Sequence, residues 1–216
     1  MTFFNPVEPV LRCKQHELAF QDAEGCLHLQ WRVGYITLLD SFYTRIDQVF
    51  VVWGLLTLVI FGTAQFLPLD WALQAMLWTG LSLVGAGAMV ILSWFWVVVE
   101  RVAWLLGAWV GLVVLGLAVT DLSIFYVWGD VLLHLGPLWL GLMGVGYLVT
   151  GTTLRSRALV LTAVVHGLSA LVFFFFTDWQ FLGAGLVQAG SLFLLSECQW
   201  DMRLPQQGET AFNNSP

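Results

Sequence analysis

Six apolar runs follow one another along most of the chain, at residues 46–67, 71–99, 102–119, 131–150, 158–176 and 181–196. The pair at 131–150 and 158–176 shows their plan most plainly. Each run is about 20 residues, and at ~1.5 Å rise per residue either one crosses a hydrocarbon core of about 30 Å. The polar turn Gly151-Thr152-Thr153-Leu154-Arg155-Ser156-Arg157 joins them, as in a helical hairpin within a bilayer. The other runs repeat this arrangement. The pattern predicts an all-α integral membrane protein: a six-helix transmembrane bundle over 46–196, built of three helical hairpins.

A different period precedes the first run. Leu18 and Phe20 alternate with polar residues, the turn Asp22-Ala23-Glu24-Gly25 follows, and alternation resumes at Leu27, Leu29, Trp31 and Val33. Alternation on both sides of an Asp…Gly turn predicts a β-hairpin over 16–33. Residues 34–47 then read as an amphipathic entry into the first helix. Residues 1–45 form the one sizeable segment outside the membrane, and 197–216 read as a disordered tail.

Charge sets the expected orientation. Arg45, Arg101, Arg155, Arg157 and Arg203 all fall in alternate connections, hence on one side of the membrane, and the remaining corners carry Asp70, Asp121, Asp130 and Asp178 without Lys or Arg. The positive-inside rule puts both termini in the cytoplasm. This suits a bacterial-type plasma membrane or a thylakoid-like one. The corners Leu69-Asp70-Trp71 and Thr177-Asp178-Trp179 predict an Asp cap followed by a Trp anchor, and Thr120-Asp121-Leu122 shares only the Asp. Gly107 and Gly111, Gly85 and Gly87, and Gly141, Gly144 and Gly146 mark faces where helices could approach closely.

Composition agrees with a lipid-solvated chain. Hydrophobic residues make up 59% and charged ones 10%, where a soluble domain carries about 25%. The net charge of −6, with no basic cluster, excludes nucleic acid as a partner. Cys13, Cys26 and Cys198 are an odd set outside the apolar runs and do not form a disulfide framework. Cys13, His16, Cys26 and His28 have the element types of a zinc site but not its spacing, so no metal is expected.

Two histidines lie in apolar runs. Bis-imidazole haem ligation fails on depth: His134 sits ~4.5 Å from one edge and His166 ~12 Å from the other, leaving them about 13 Å apart along the normal. His134 reads as a snorkelling, hydrogen-bonded group. His166 shares its helix face with Thr162 and Ser169, and Gln188 on the last run lies at similar depth. His166, Gln188, Thr162, Ser169 and His134 therefore form the candidate intramembrane polar site, with a His166–Gln188 hydrogen bond as its simplest structural reading. No carboxylate or basic residue lies at mid-helix, no metalloprotease, nucleophile-elbow or phosphate-loop motif is present, and no cofactor is expected.

The sequence thus predicts a polytopic protein without catalysis of its own. Its expected partners are the bilayer and other subunits of a membrane complex, which it would serve in an accessory or assembly role. Two alternatives stand beside that: a transporter or channel for a small neutral or weakly polar solute, and a carrier of haem or pigment on a single histidine.

Overall fold

The computed structural model describes residues 4, 9–14, 26–33 and 36–201. Strands β1 (Leu11–Cys13), β2 (Leu27–Val33) and β3 (Ile36–Tyr43) precede the helices α1 (Arg45–Phe66), α2 (Trp71–Val99), α3 (Ala103–Phe125), α4 (Gly129–Leu132), α5 (Leu135–Leu154), α6 (Arg157–Phe175) and α7 (Gln180–Glu197). Strand β4 (Cys198–Trp200) follows them. Six of these helices, all but the single-turn α4, are long and apolar enough to cross a membrane. This is a multi-pass membrane protein.

The helices begin where short polar side chains can satisfy the first free amides. Thr44 and Asp47 form a reciprocal capping box at α1, with Thr44 Oγ1 accepting from Asp47 N at 3.2 Å and Asp47 Oδ2 accepting from Thr44 N at 2.9 Å. Asp70 Oδ1 accepts from Leu73 N at α2, and Ser156 Oγ from Leu159 N at α6. The Thr177-Asp178-Trp179 corner differs. It forms a 3-10 turn, and the amide of Leu182 is met instead by Gln65 Oε1 of α1 at 3.1 Å. Gln180 does the same for α5: its Oε1 accepts from Gly136 N at 3.0 Å while its Nε2 donates to the Leu133 carbonyl.

Two boundaries differ from the expectation. Helix α3 runs through Thr120-Asp121-Leu122 and turns only at residues 126–128. Two of its polar residues find partners inside the bundle, where Thr120 accepts from Trp139 Nε1 and one carboxylate oxygen of Asp121, Oδ2, accepts from the Thr79 hydroxyl at 3.0 Å. A polar residue therefore does not end a membrane helix when a neighbour answers it. The next spanning helix starts at Leu135 rather than 131, after α4.

Helices α1, α2, α3, α5 and α7 each pack on the next and close a ring, since α7 lies against α1; α6 sits outside it, in the notch between α5 and α7. Helices α1 and α7 thus pair more intimately than any chain neighbours except α5 and α6, a contact that a plan of three hairpins does not contain. Aromatic side chains fill the gaps left by glycine: Phe193 lies over Gly54, Phe61 over Gly185, Trp109 over Gly146 and Trp139 over Gly116. Gly85 and Gly144 are also approached, but Gly87, Gly107, Gly111 and Gly141 face open space. The small-residue spacing on α3 is not a packing face.

At the end of the bundle where α1 begins, β2 pairs antiparallel with β3, with Leu27 opposite Tyr43 and Val33 opposite Ile36. The segment 36–43 is therefore a strand, not an amphipathic entry to α1; its β-branched and aromatic residues suit a strand. The expected turn at Asp22–Gly25 and the strand before it lie outside the described residues. Strand β1 pairs with β4, placing Leu11 opposite Trp200 and Cys13 opposite Cys198. The segment after α7 thus begins as an ordered strand.

Polar bonds hold this β1–β4 strap down. Lys14 Nζ lies 2.8 Å from Asp47 Oδ2, and the Tyr43 hydroxyl donates to Glu197 Oε1. Asp201, 3% exposed, accepts from Ser156 Oγ, Arg157 N, Ala158 N and Arg157 Nε at 2.8–3.1 Å. A residue beyond the last helix thereby caps α6.

Candidate intramembrane binding site

The helices of the ring line a partly open cavity of about 150 Å³. Its lining runs along α1 from Ile46 to Phe61, about 22 Å at 1.5 Å per residue, so the space is long and narrow. Trp200 of the strap lines it at one end, and Trp78 and Phe61 line it toward the other. The walls are aromatic and apolar, with Trp53, Trp96, Trp109, Trp139 and Tyr147 among them.

His166 is fully buried and lines this cavity, although its helix lies outside the ring. It packs beside Gly144 of α5, where a methyl group would stand 3.4 Å from His166 Cβ, an ordinary contact distance. Its ring packs against Tyr147 with centroids 5.0 Å apart. Nδ1 lies 2.8 Å from the carbonyl oxygen of Thr162. A carbonyl only accepts, so Nδ1 carries the proton, and in the neutral ring Nε2 is left with its lone pair.

That Nε2 is buried and has no hydrogen-bond partner. The side-chain nitrogens of Gln188 and Trp53, two other residues of the cavity wall, are in the same condition. The hydrogen bond expected between His166 and Gln188 is therefore not made. All three residues stand eight or nine positions from the strand-bearing ends of their helices, at about 12–14 Å depth, near the middle of a ~30 Å core. Buried polar groups are ordinarily paired. Three unpartnered buried nitrogens thus lie at one depth on the wall of one cavity.

The other candidates sit elsewhere. Thr162 contributes its carbonyl to His166, while its hydroxyl is spent on the Ala158 carbonyl at 2.9 Å. Ser169 is half-buried and does not line the cavity. His134 precedes α5 at the opposite end, where Nδ1 donates to the Asp130 carbonyl and the ring stacks on Phe174 at 4.3 Å. His28 stacks on Phe42 across β2 and β3, and no group of three metal-ligating side chains is found among the described residues.

Trp53 and Tyr147 escaped sequence reasoning because Trp and Tyr in membrane proteins are first read as interfacial anchors. Position within the run was the available signal: Trp53 lies far from either end of its helix. Three other indoles of the cavity wall have partners, Trp78 donating to the Ile60 carbonyl, Trp109 to the Thr150 hydroxyl and Trp139 to the Thr120 hydroxyl. Trp53 stands out against them.

Comparison with known protein families, curated proteins and solved structures matches none of them. The site must be read from its own chemistry.

Proposed function

We propose that this protein binds a small, weakly polar molecule at mid-depth in the bilayer and passes it along a path lined by His166 and Gln188. The observation behind the proposal is the set of three unpartnered buried nitrogens on one cavity. Trp53 Nε1 and Gln188 Nε2 offer protons, and His166 Nε2 offers a lone pair. A hydroxyl carries one proton and two lone pairs, so it can donate to the imidazole and accept from the indole and from one N–H of the amide. A ketone lacks the proton, an ammonium lacks the lone pairs, and an amide brings a surplus N–H into an apolar wall at a cost. A narrow space of about 150 Å³ in all admits only a small molecule. Aromatic walls and this size favour a phenol or short alcohol, and disfavour a tetrapyrrole held by one histidine.

Fluorine NMR of the purified protein in micelles tests this with 4-fluorophenol, 4-fluoroanisole and fluorobenzene. The phenol should bind saturably and at least tenfold more tightly than the anisole, tenfold being about 1.4 kcal/mol, the scale of one hydrogen bond. His166→Leu should abolish that preference while fluorobenzene still binds. Equal affinities for phenol and anisole would refute the hydroxyl; no saturable binding of any of them would refute the cavity as a ligand site.

We also propose that the strand-bearing end faces the cytoplasm. Arg45, Arg101, Arg155 and Arg157 lie at the helix ends on that side, in keeping with the positive-inside rule. In a background with Cys13, Cys26 and Cys198 replaced by serine, single cysteines at Asp70 and Asp178 should react with an impermeant maleimide on intact cells. Faster labelling of a cysteine at Thr153 would reverse the assignment. An accessory role in a larger complex is compatible with ligand binding, and a stoichiometric partner co-purifying after mild solubilisation would support it.

A further inference from the structure

The register of the strap places Cys13 of β1 opposite Cys198 of β4. In an antiparallel pair, opposite residues alternate between those that exchange backbone hydrogen bonds and those that do not. The Asp201 amide donates to the Val10 carbonyl at 3.2 Å, which marks Val10 and Asp201 as a bonded pair. Counting inward, Leu11 and Trp200 are a non-bonded pair, Arg12 and Gln199 a bonded one, and Cys13 and Cys198 non-bonded again. Non-bonded partners have Cα atoms about 4.5 Å apart and the closer side chains, within the 4.4–6.8 Å that a disulfide spans. Both thiols are unbridged here, with Cys13 exposed and Cys198 half-buried.

We infer that Cys13 and Cys198 form a reversible disulfide that locks the strap across the end of the bundle. The chemistry is thiol–disulfide exchange with a low-molecular-weight disulfide. The exposed Cys13 thiolate attacks one sulfur of that disulfide, forming a mixed disulfide and releasing one thiolate. The Cys198 thiolate then attacks Cys13 Sγ, closes the bridge and expels the second thiolate. Two protein thiols lose two protons and two electrons, and the oxidant gains them as two thiols. Excess reduced thiol reverses both steps. Exposed disulfides are the labile, regulatory kind, and those in cytosolic compartments are ordinarily transient and redox-sensing.

The bridge has a structural effect beyond the strands. Leu11, Cys13, Cys198 and Trp200 share one face of the strap, because opposite and next-but-one residues do. Trp200 on that face lines the end of the cavity. Oxidation would pin the indole in place, and reduction would leave the strap held by its polar bonds and by the packing of Val10, Leu11 and Trp200 on the core. The bridge itself does not depend on what the cavity holds.

The test uses the full chain in micelles with glutathione disulfide as oxidant. Counting thiols with a polymer-tagged maleimide should give three in the reduced protein and one after oxidation, without dimers on a non-reducing gel. Peptide mapping should link the segments containing Cys13 and Cys198. Cys198→Ser should stop the exchange halfway and trap glutathione on Cys13, whereas Cys26→Ser should leave the bridge intact. Amides of β1 and β4 should exchange hydrogen at least tenfold more slowly in the oxidised protein. Three thiols still titratable after oxidation, a bridge involving Cys26, or cross-linking between copies would overturn the inference, and unchanged strap exchange would overturn the locking.

Discussion

Alanine at Gly151 should destabilise the bundle by about 2 kcal/mol or more, while alanine at Gly107 and Gly111 should leave it unchanged or slightly firmer. All three glycines lie inside spanning helices, so propensity alone predicts a gain of roughly 0.5–1 kcal/mol at each. The surroundings decide otherwise at Gly151. A Cβ there would stand 2.8 Å from the backbone nitrogen of Val160 and 3.1 Å from Leu159 Cβ. Neither atom can rotate away, so α5 and α6 must part where they are packed most closely, and overpacking of that kind costs about 1–3 kcal/mol. Nothing lies within 4 Å of a Cβ at Gly107 or Gly111. Unfolding of the three variants in mixed micelles measures the difference, and equal midpoints would mean that α5 and α6 are not in this close contact.

Asp201→Ala should cost about 3 kcal/mol and free the strap. Its carboxylate gathers two amides of α6, the Ser156 hydroxyl and the Arg157 guanidinium, and its removal orphans buried donors while unpairing a charge. Burial by itself pushes the Asp201 carboxyl up, but the bonds from the Arg157 side chain, the Ala158 and Arg157 amides and the Ser156 hydroxyl outweigh it and hold the pKa below the ordinary carboxylate value. A pKa lower in the folded than in the unfolded chain means that the stabilisation is complete above the unfolded value of about 3.9 and is lost as pH falls through the folded one. Hydrogen exchange of the β1 and β4 amides should therefore accelerate in acid beyond its intrinsic pH dependence. That extra acceleration should vanish in Asp201→Asn, whose amide oxygen keeps part of the cap without a charge to lose. A wild-type strap indifferent to acid would show that the carboxylate does not hold it.

Length and hydropathy made the spanning helices legible, because bilayer thickness imposes both. The ends were legible wherever a local side chain sets them, as Thr44, Asp70 and Ser156 do. They were obscure where the satisfying group comes from elsewhere in the chain: Gln65 for α7, Gln180 for α5, Thr79 for Asp121. The site followed the same division. His166 and Gln188 announced themselves as polar groups in apolar runs, and their depth could be counted. Their lack of a mutual bond, and the third orphan at Trp53, depend on which helices adjoin. Glycine spacing could not separate Gly146, which seats Trp109, from Gly107, which seats nothing. Spacing identifies a face of a helix but not what lies opposite it.

The pairing of α1 with α7, and of β1 with β4, also bears on how the protein is made. Chains emerge from the ribosome N-terminus first, so the wall on which α1 must rest is synthesised last. Until α7 inserts, Gln65 lacks the amide it caps, α5 lacks Gln180, and α6 lacks the carboxylate that closes its first turn. Contacts so distant in sequence are slow to form. The earlier helices must wait in the lipid as an open crescent, and a nascent chain halted before residue 180 would present that open side to whatever membrane chaperone or neighbouring helix reaches it first.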